Sequence, residues 1–272
     1  MPFKDYLYKY DQTILKVFGY GDNKKIKLIT MNCLRTSGVE DDKQFEDNSI
    51  DSIRGTVNEN KLEESISRAK NKIFELAFCN PWQYFFTGTL NKDNYDRTDL
   101  DKYHKDLTKW FSNQGIKFKT KISYLLIPEL HDDKKTWHIH GFVSGIPFDQ
   151  LHKYEFGDEM SKSIASKLKK GEVVYTWYAY QHKFGFCSFE LIRNYEAISK
   201  YITKYINKGL ATSVTKLNAH LYYHSRGLKE AEHIKTGLLT SSVKPTYQSD
   251  YCSIAWLDYS DEYLEYLKSQ FL

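Results

Sequence analysis

ISYLLIPELHDDKKTWHIHGFV, residues 122–143, consists of two apolar runs separated by a polar, turn-forming stretch. The first run, 122–130, is almost continuously hydrophobic, and WHIHGFV at 137–143 alternates with period two; both patterns read as strands. HDDKKT at 131–136 has the composition of a turn, so the two runs are expected to form an antiparallel hairpin centred near residues 133–134. Alternation then puts His138, His140 and Phe142 on one face of the strand and Trp137, Ile139 and Val143 on the other.

Two imidazoles on one face of a strand can share a divalent metal. Across the hairpin, Glu129 offers a carboxylate to the same ion, while His131 is either a rival third ligand or a solvated turn residue beside Asp132 and Asp133. Two imidazoles and one carboxylate with open positions fit Mg²⁺ or Mn²⁺, hard or borderline ions able to hold a phosphate oxygen as well. With nine histidines in the chain, a His-x-His arises by composition roughly 0.3 times, so it is the upstream carboxylate that gives the pattern weight.

KYITKYINK at 200–208 is the second informative run. On a helix, Tyr201, Lys204, Tyr205 and Lys208 fall at i, i+3, i+4 and i+7, so two phenols and two ammonium groups share one face while Ile202 and Ile206 lie opposite. The chain holds 22 tyrosines, and roughly two Tyr-x-x-x-Tyr pairs follow from composition alone. Requiring a lysine three residues after each tyrosine lowers the expectation to roughly 0.03. The alternative is an amphipathic helix whose tyrosines are half buried at its edge.

In chain order, FFTGTL (85–90), HIHGFV with its upstream glutamate, and YITKYINK resemble the three motifs of HUH endonucleases. More narrowly, they are similar to the two-tyrosine rolling-circle replication initiators of plasmids and small phages, a group that includes the filamentous-phage gene II endonuclease. The resemblance covers about residues 62–228. It implies that His138, His140 and Glu129 hold the metal, that Tyr201 and Tyr205 are nucleophiles, and that Lys204 orients or neutralises the scissile phosphate. The first motif departs from the family pattern because Gly88 stands where an aliphatic residue is usual, which leaves Thr87 and Thr89 either as motif residues or as ordinary strand residues.

The chemistry implied is metal-assisted transesterification. A tyrosine phenolate displaces the 3′ oxygen, leaving the enzyme joined to the 5′ phosphate and a free 3′ hydroxyl to prime synthesis. Phenol titrates near pH 10, so Lys204, Lys208 and the metal are expected to favour the anion. A relaxase or transposase would share this chemistry, although relaxases generally place the tyrosine before the histidine pair. A non-catalytic nucleic-acid-binding module would make both motifs incidental.

Net charge is only +4, but its distribution is uneven. Residues 37–64 hold nine acidic and three basic side chains, whereas residues 161–208 hold nine basic and three acidic ones. KLKK at 167–170 is either a solvated helix face or a DNA contact; Lys167, Lys169, Lys170 and Lys208, with Arg226 of the SRGL run, are the expected DNA-binding residues. The aromatics of EVVYTWYAY (172–180) either stack unpaired bases or are buried strand residues. No GxxxxGK[ST] run occurs, so a separate helicase and DNA polymerase are the expected partners, with single-stranded or hairpin origin DNA as substrate.

The four cysteines are scattered without a Cys-x-x-Cys, no apolar stretch reaches membrane-spanning length and the N-terminus lacks a signal-peptide core, so a cytoplasmic protein is expected. Residues 1–60 read as an accessory segment, 61–228 as the endonuclease domain and 229–272 as a second accessory segment. A helix is expected at 61–79, a strand at 83–90, a helix near 99–113, the hairpin, a strand near 184–191 and the tyrosine helix at about 194–208. Strands with two helices crossing one face describe an antiparallel α+β sandwich; the resemblance implies a ferredoxin-like sheet with the histidines on a central strand.

Overall fold

The computed structural model describes residues 6–8, 11–32, 35–36, 59–194, 198, 201 and 220–272. They fall into two compact units, Val57–Lys229 and a second built from the residues before and after it.

Val57–Lys229 is built on a seven-stranded antiparallel sheet. In chain order its helices and strands are α1 (Glu59–Phe78), β5 (Tyr84–Thr89), α2 (Leu100–Phe118), β6 (Ser123–Leu130), β7 (Trp137–Ser144), β8 (His152–Lys153), α3 (Lys162–Lys169), β9 (Tyr175–Thr176), α4 (Tyr178–Lys183), β10 (Cys187–Leu191) and β11 (Tyr223–His224). Four strands precede them in the chain, β1 (Tyr6–Tyr8), β2 (Gln12–Phe18), β3 (Lys25–Met31) and β4 (Arg35–Thr36). The strands lie in the order β11-β6-β7-β5-β10-β9-β8, so the histidine strand β7 is internal and flanked by both other motif strands. The hairpin has the expected register, with Glu129 opposite His138 and Leu130 opposite Trp137.

Helices cover both faces of this sheet. On one face, Tyr84, Phe86, Leu126, Ile139 and Val143 pack with Leu107, Trp110 and Phe111 of α2 and with Trp177, Tyr180 and Phe184. Phe86 is fully enclosed there, and its truncation to alanine would cost about 3–5 kcal/mol. On the other face, Leu125, Ile127 and Phe142 meet Ala69, Ile73, Leu76 and Ala77 of α1, together with Ile198 and Tyr201. The arrangement thus differs from helices on a single face: α1 and the residues leading into the tyrosine run share one side, and α2 takes the other. The period-two alternation of β7 requires this, because both of its faces carry large apolar side chains that need cover.

α1 matches its apolar spacing and ends where Asn80 intervenes. The buried Asn80 amide donates to the Leu76 carbonyl at 2.8 Å, satisfying a helix-end acceptor, and Trp82 Nε1 donates to Ala77 at 3.1 Å. α2 continues to Phe118, beyond the expected 113, and terminates on Lys119 in the left-handed region, φ 54°. EVVYTWYAY is no single strand. It holds the two-residue β9 and the start of α4, and Val174, Trp177 and Tyr180 are buried. The N–H groups of Phe184 and Gly185 close the end of α4, so β10 begins only at Cys187.

The second unit joins β2 (Gln12–Phe18) and β3 (Lys25–Met31) with β12 (Glu232–Leu238), β13 (Tyr247–Gln248) and β14 (Cys252–Asp258) in one antiparallel sheet, ordered β12-β2-β3-β14-β13. β1 (Tyr6–Tyr8) pairs with β4 (Arg35–Thr36). Leu15, Ile26, Leu28 and Ala255 share a core with Leu267 of α5 (Asp261–Ser269) and with Phe271. The N- and C-terminal segments therefore contribute strands to the same sheet. Among the described residues no helix is long and apolar enough to cross a membrane.

Candidate functional site

β5, β6 and β7 bring the chemistry-bearing side chains onto one face. Thr87 pairs with His140 and Thr89 with His138 across β5–β7, while Ile127 and Glu129 lie opposite His140 and His138 across β6–β7. Directly opposed residues in an antiparallel pair project to the same side, so all these side chains belong to the α1 face.

Each imidazole is held through its Nδ1. Thr87 Oγ1 lies 3.0 Å from His140 Nδ1 and Thr89 Oγ1 lies 3.1 Å from His138 Nδ1. On the other side of the His140 ring, Nε2 is 3.0 Å from Glu129 Oε2. With Nε2–H donating to Glu129, Nδ1 accepts from the Thr87 hydroxyl; the opposite tautomer would free the Nε2 lone pair for a cation and let Nδ1–H donate to Thr87. Thr87 and Thr89 thus each hold one ring nitrogen of the histidine pair. Sequence reading left their roles open because the pairing of FFTGTL with HIHG spans about 50 residues and has no local signal.

His131 joins from the turn. Its ring centre is 4.1 Å from that of His138, and the His138 and His140 centres are 6.0 Å apart. The two rival third ligands therefore take opposite ends of the pair, Glu129 against His140 and His131 against His138. The turn is ordered by Asp133, whose carboxylate accepts from the N–H groups of Lys135 and Thr136 and from the Thr136 hydroxyl, each at 2.8 Å; these bonds lower its carboxyl to about 2. Burial, reinforced by His131, His140 and Arg97, lowers the His138 imidazole to about 4 and keeps it neutral near pH 7, the form that binds a metal. Arg97 is a residue that no motif singled out. Its Nε is buried without a hydrogen-bond partner among the described residues, and its charge acts on His138.

The donor set, two neutral-capable imidazoles and a carboxylate, fits Mg²⁺ or Mn²⁺. The 3.0 Å between His140 Nε2 and Glu129 Oε2 is about the separation of adjacent ligands in an octahedron with bonds near 2.1 Å. Among the described residues, however, no three His, Cys, Asp or Glu side chains already converge as a metal cage, so His138 would have to turn toward the Glu129–His140 pair.

Gly141, which completes HIHG, has no room for a side chain: a Cβ there would run into the Leu125 carbonyl of β6. Its N–H donates to the Tyr201 hydroxyl at 3.2 Å, and that hydroxyl lies 3.3 Å from the Phe86 carbonyl, to which it donates. The Tyr201 ring stacks on Phe85 with centroids 4.2 Å apart and meets Phe142 edge-on at 5.2 Å. Tyr201 therefore lies against the sheet, one side-chain row from His140 and Thr87. Tyr201 sits there half-buried, with its hydroxyl already engaged. Lys204, Tyr205 and Lys208 lie outside the described residues.

The expected DNA-binding side chains are dispersed. Lys167 lies on α3 in an ion pair with Glu190 of β10 at 2.5 Å, while Lys169 and Lys170 are exposed. Arg226 is exposed in the loop after β11, next to the buried Ser225, whose hydroxyl accepts the Tyr124 N–H at 3.1 Å. Part of the SRGL run thus has a structural task, fixing that loop to the sheet.

A family model described as "Replication-associated protein ORF2/G2P" matches residues 83–210, a little less than half of the chain and the span that holds β5–β7, β10 and the tyrosine run. Over that span the chain is similar to replication-associated proteins, which points to DNA replication and to DNA as a binding partner. No curated protein and no solved structure matches the chain.

Proposed function

We propose that this protein is a rolling-circle replication initiator of the HUH type, which nicks and rejoins single-stranded or hairpin origin DNA through a 5′-phosphotyrosine intermediate. The observation that carries the reading is the meeting on one sheet face of Glu129, His138 and His140, each imidazole anchored by a threonine, with Tyr201 one side-chain row away. The similarity to replication-associated proteins supports the same role.

His138, His140 and Glu129 would hold Mg²⁺ or Mn²⁺, with His131 the alternative ligand beside His138. When bound, the ion would supply charge that polarises a nonbridging phosphate oxygen. Thr87 and Thr89 fix the imidazole planes, and the Arg97 guanidinium adds positive charge near His138. The attacking phenol loses its proton, its oxygen bonds to phosphorus, and the bond from phosphorus to the 3′ oxygen breaks, that oxygen gaining a proton. Lys204 serves the scissile phosphate and Lys208 the neighbouring backbone. Because the Tyr201 hydroxyl is held by Phe86 and Gly141, Tyr205 makes the first attack and Tyr201 the second, after release from the sheet.

Incubating the protein with a randomised single-stranded DNA pool and isolating detergent-resistant adducts tests this reading. Adducts should need Mg²⁺ or Mn²⁺, vanish with chelator, and be absent from Tyr201→Phe/Tyr205→Phe. Adducts of undiminished yield in chelator or in His138→Ala/His140→Ala would overturn the metal assignment. Adducts in the double tyrosine variant would overturn the nucleophiles.

A further inference from the structure

At the β11 edge of the same sheet, away from the histidine pair, lies a cleft of about 730 Å³. Its walls are Ser65, Arg68 and Lys72 of α1 on one side and His104 and Thr108 of α2 on the other. Tyr124 and residues 220–224, the run HLYYH, form the floor along the sheet edge, with Tyr222 and His224 on the α1 face beside Arg68 and Lys72 and Tyr223 on the α2 face beside His104. We infer that this cleft is a second single-stranded DNA subsite, where a base stacks on the aromatic floor while Arg68 and Lys72 receive the adjoining phosphates; the inference rests on the proposed nuclease function for its substrate.

The lining has the chemistry for such a ligand. It contains two cationic side chains, three imidazoles and three tyrosines, and no carboxylate. Arg68 and Lys72 are one helical turn apart, so their heads can address successive phosphates. Arg68 is exposed and lies 3.4 Å from Ser65 Oγ, while Lys72 is partnered by Glu75 at 3.3 Å, a contact that an incoming phosphate would share or displace.

The surface offered to a base is the half-buried Tyr222 with the exposed His224, while the buried Tyr223 lies beneath His104 and supports the floor. His104 stacks on Tyr223 with ring centres 3.6 Å apart, His220 tilts over the same tyrosine at 5.7 Å, and Tyr222 stacks with His224 at 5.8 Å. Burial, and next the nearness of His220, lower the His104 imidazole, which keeps it a neutral ring; Asp101 opposes this. Base stacking on such rings tolerates any sequence, which suits DNA leading to or from a nicking site.

The position is also suitable. Tyr223 and His224 pair with Leu126 and Leu125 of β6, three and four residues from Glu129, which at 3.3 Å per residue is roughly 10–13 Å along the strand. One extended strand could occupy both places.

The test uses the full chain and a fluorescein-labelled thymidine homopolymer of about 20 nucleotides, long enough to span both places. Anisotropy titrations give affinity and salt slope, and a 5-iododeoxyuridine in the oligonucleotide allows photo-crosslinking. Arg68→Ala/Lys72→Ala should weaken binding about tenfold and flatten log affinity against log salt by about 1.4. His220→Ala/Tyr222→Ala should weaken it about fivefold or more without changing the slope. Crosslinks should map to residues 220–224, and circular dichroism should report the wild-type fold in both variants. Wild-type affinity in both folded variants, or crosslinks confined to other segments, would overturn the subsite. Weakened binding that an acidic peptide competes away as well as DNA would assign the cleft to a protein partner instead. Because binding and crosslinking need no strand cleavage, failure here is distinct from failure of the nicking reading, which adduct formation alone decides.

Discussion

Replacing Tyr201 with phenylalanine separates its structural role from its chemical one. The ring would keep its stack on Phe85 at 4.2 Å and its edge contact with Phe142, so little apolar burial is lost. The hydroxyl's bonds to the Gly141 N–H at 3.2 Å and the Phe86 carbonyl at 3.3 Å would go. Both are long, so each contributes at the low end of the usual range, and the pair sums to about 1–2 kcal/mol. For a unit of this size that lowers the melting temperature by about 2–6 °C. Differential scanning calorimetry measures the shift, and the adduct assay on the same sample measures chemistry. The expected result is reduced stability with adduct formation largely retained, because Tyr205 supplies the first nucleophile. Rejoining of cleaved strands, which needs a second phenol, should fall at least about tenfold. Wild-type stability combined with complete loss of adducts would refute the reasoning: the hydroxyl would then be a free nucleophile and not a strut between β5 and β7.

Thr87→Val leaves His140 Nδ1 without its partner while His140 is only 9% exposed, so adduct formation should fall about 10- to 100-fold; Thr89→Val should act likewise through His138, and unchanged rates for both would show that Glu129 and packing alone orient the rings. Glu129→Ala should raise the Mn²⁺ concentration needed for half-maximal adduct yield, and a larger effect from His131→Ala would make His131 the third ligand. Neutralising Lys169 and Lys170 should flatten the salt dependence of DNA binding by about 1.4, whereas Lys167→Ala should change it little because Lys167 is paired with Glu190; equal slopes for all three would count against a DNA-facing α3. Burial raises the buried Tyr103 phenol from 10.0, so the fold favours its protonated form and stability is full below pH 10 and declines above it. The decline is about 1.4 kcal/mol per pH unit for Tyr103 alone, and urea melts between pH 9 and 11, roughly the window set by the phenol's ordinary value, should show it, less steeply in Tyr103→Phe.

Much of the central sheet was legible because its signals are local. Period-two alternation in WHIHGFV, the turn chemistry of HDDKKT and the helical spacing of residues 61–79 each depend on neighbours in the chain, and all three elements form as expected. EVVYTWYAY misled because a run of aromatics has the same composition in a strand as in a buried strand-to-helix corner, and only enclosure by α2 decides between them. α2 runs past its expected end, through Gly115 to Phe118, and its cap is formed where Lys119 takes the left-handed conformation and its N–H bonds back to the last turn.

The candidate chemistry is written in short segments of the chain: which side chains have the donors for a metal, which have a phenol that could attack phosphorus, and that two histidines share a face. Periodicity and side-chain chemistry are properties of short segments, so they survive without a tertiary context. Tertiary structure alone decided who touches whom. Thr87 and Thr89 anchor the imidazoles because β5 pairs with β7 in one register among several that would satisfy the same pattern, and a slip of one residue would have turned both threonines into the opposite core. The same dependence on long-range pairing joined the two terminal segments into one sheet and brought Arg68, His104 and Tyr222 around a single cleft.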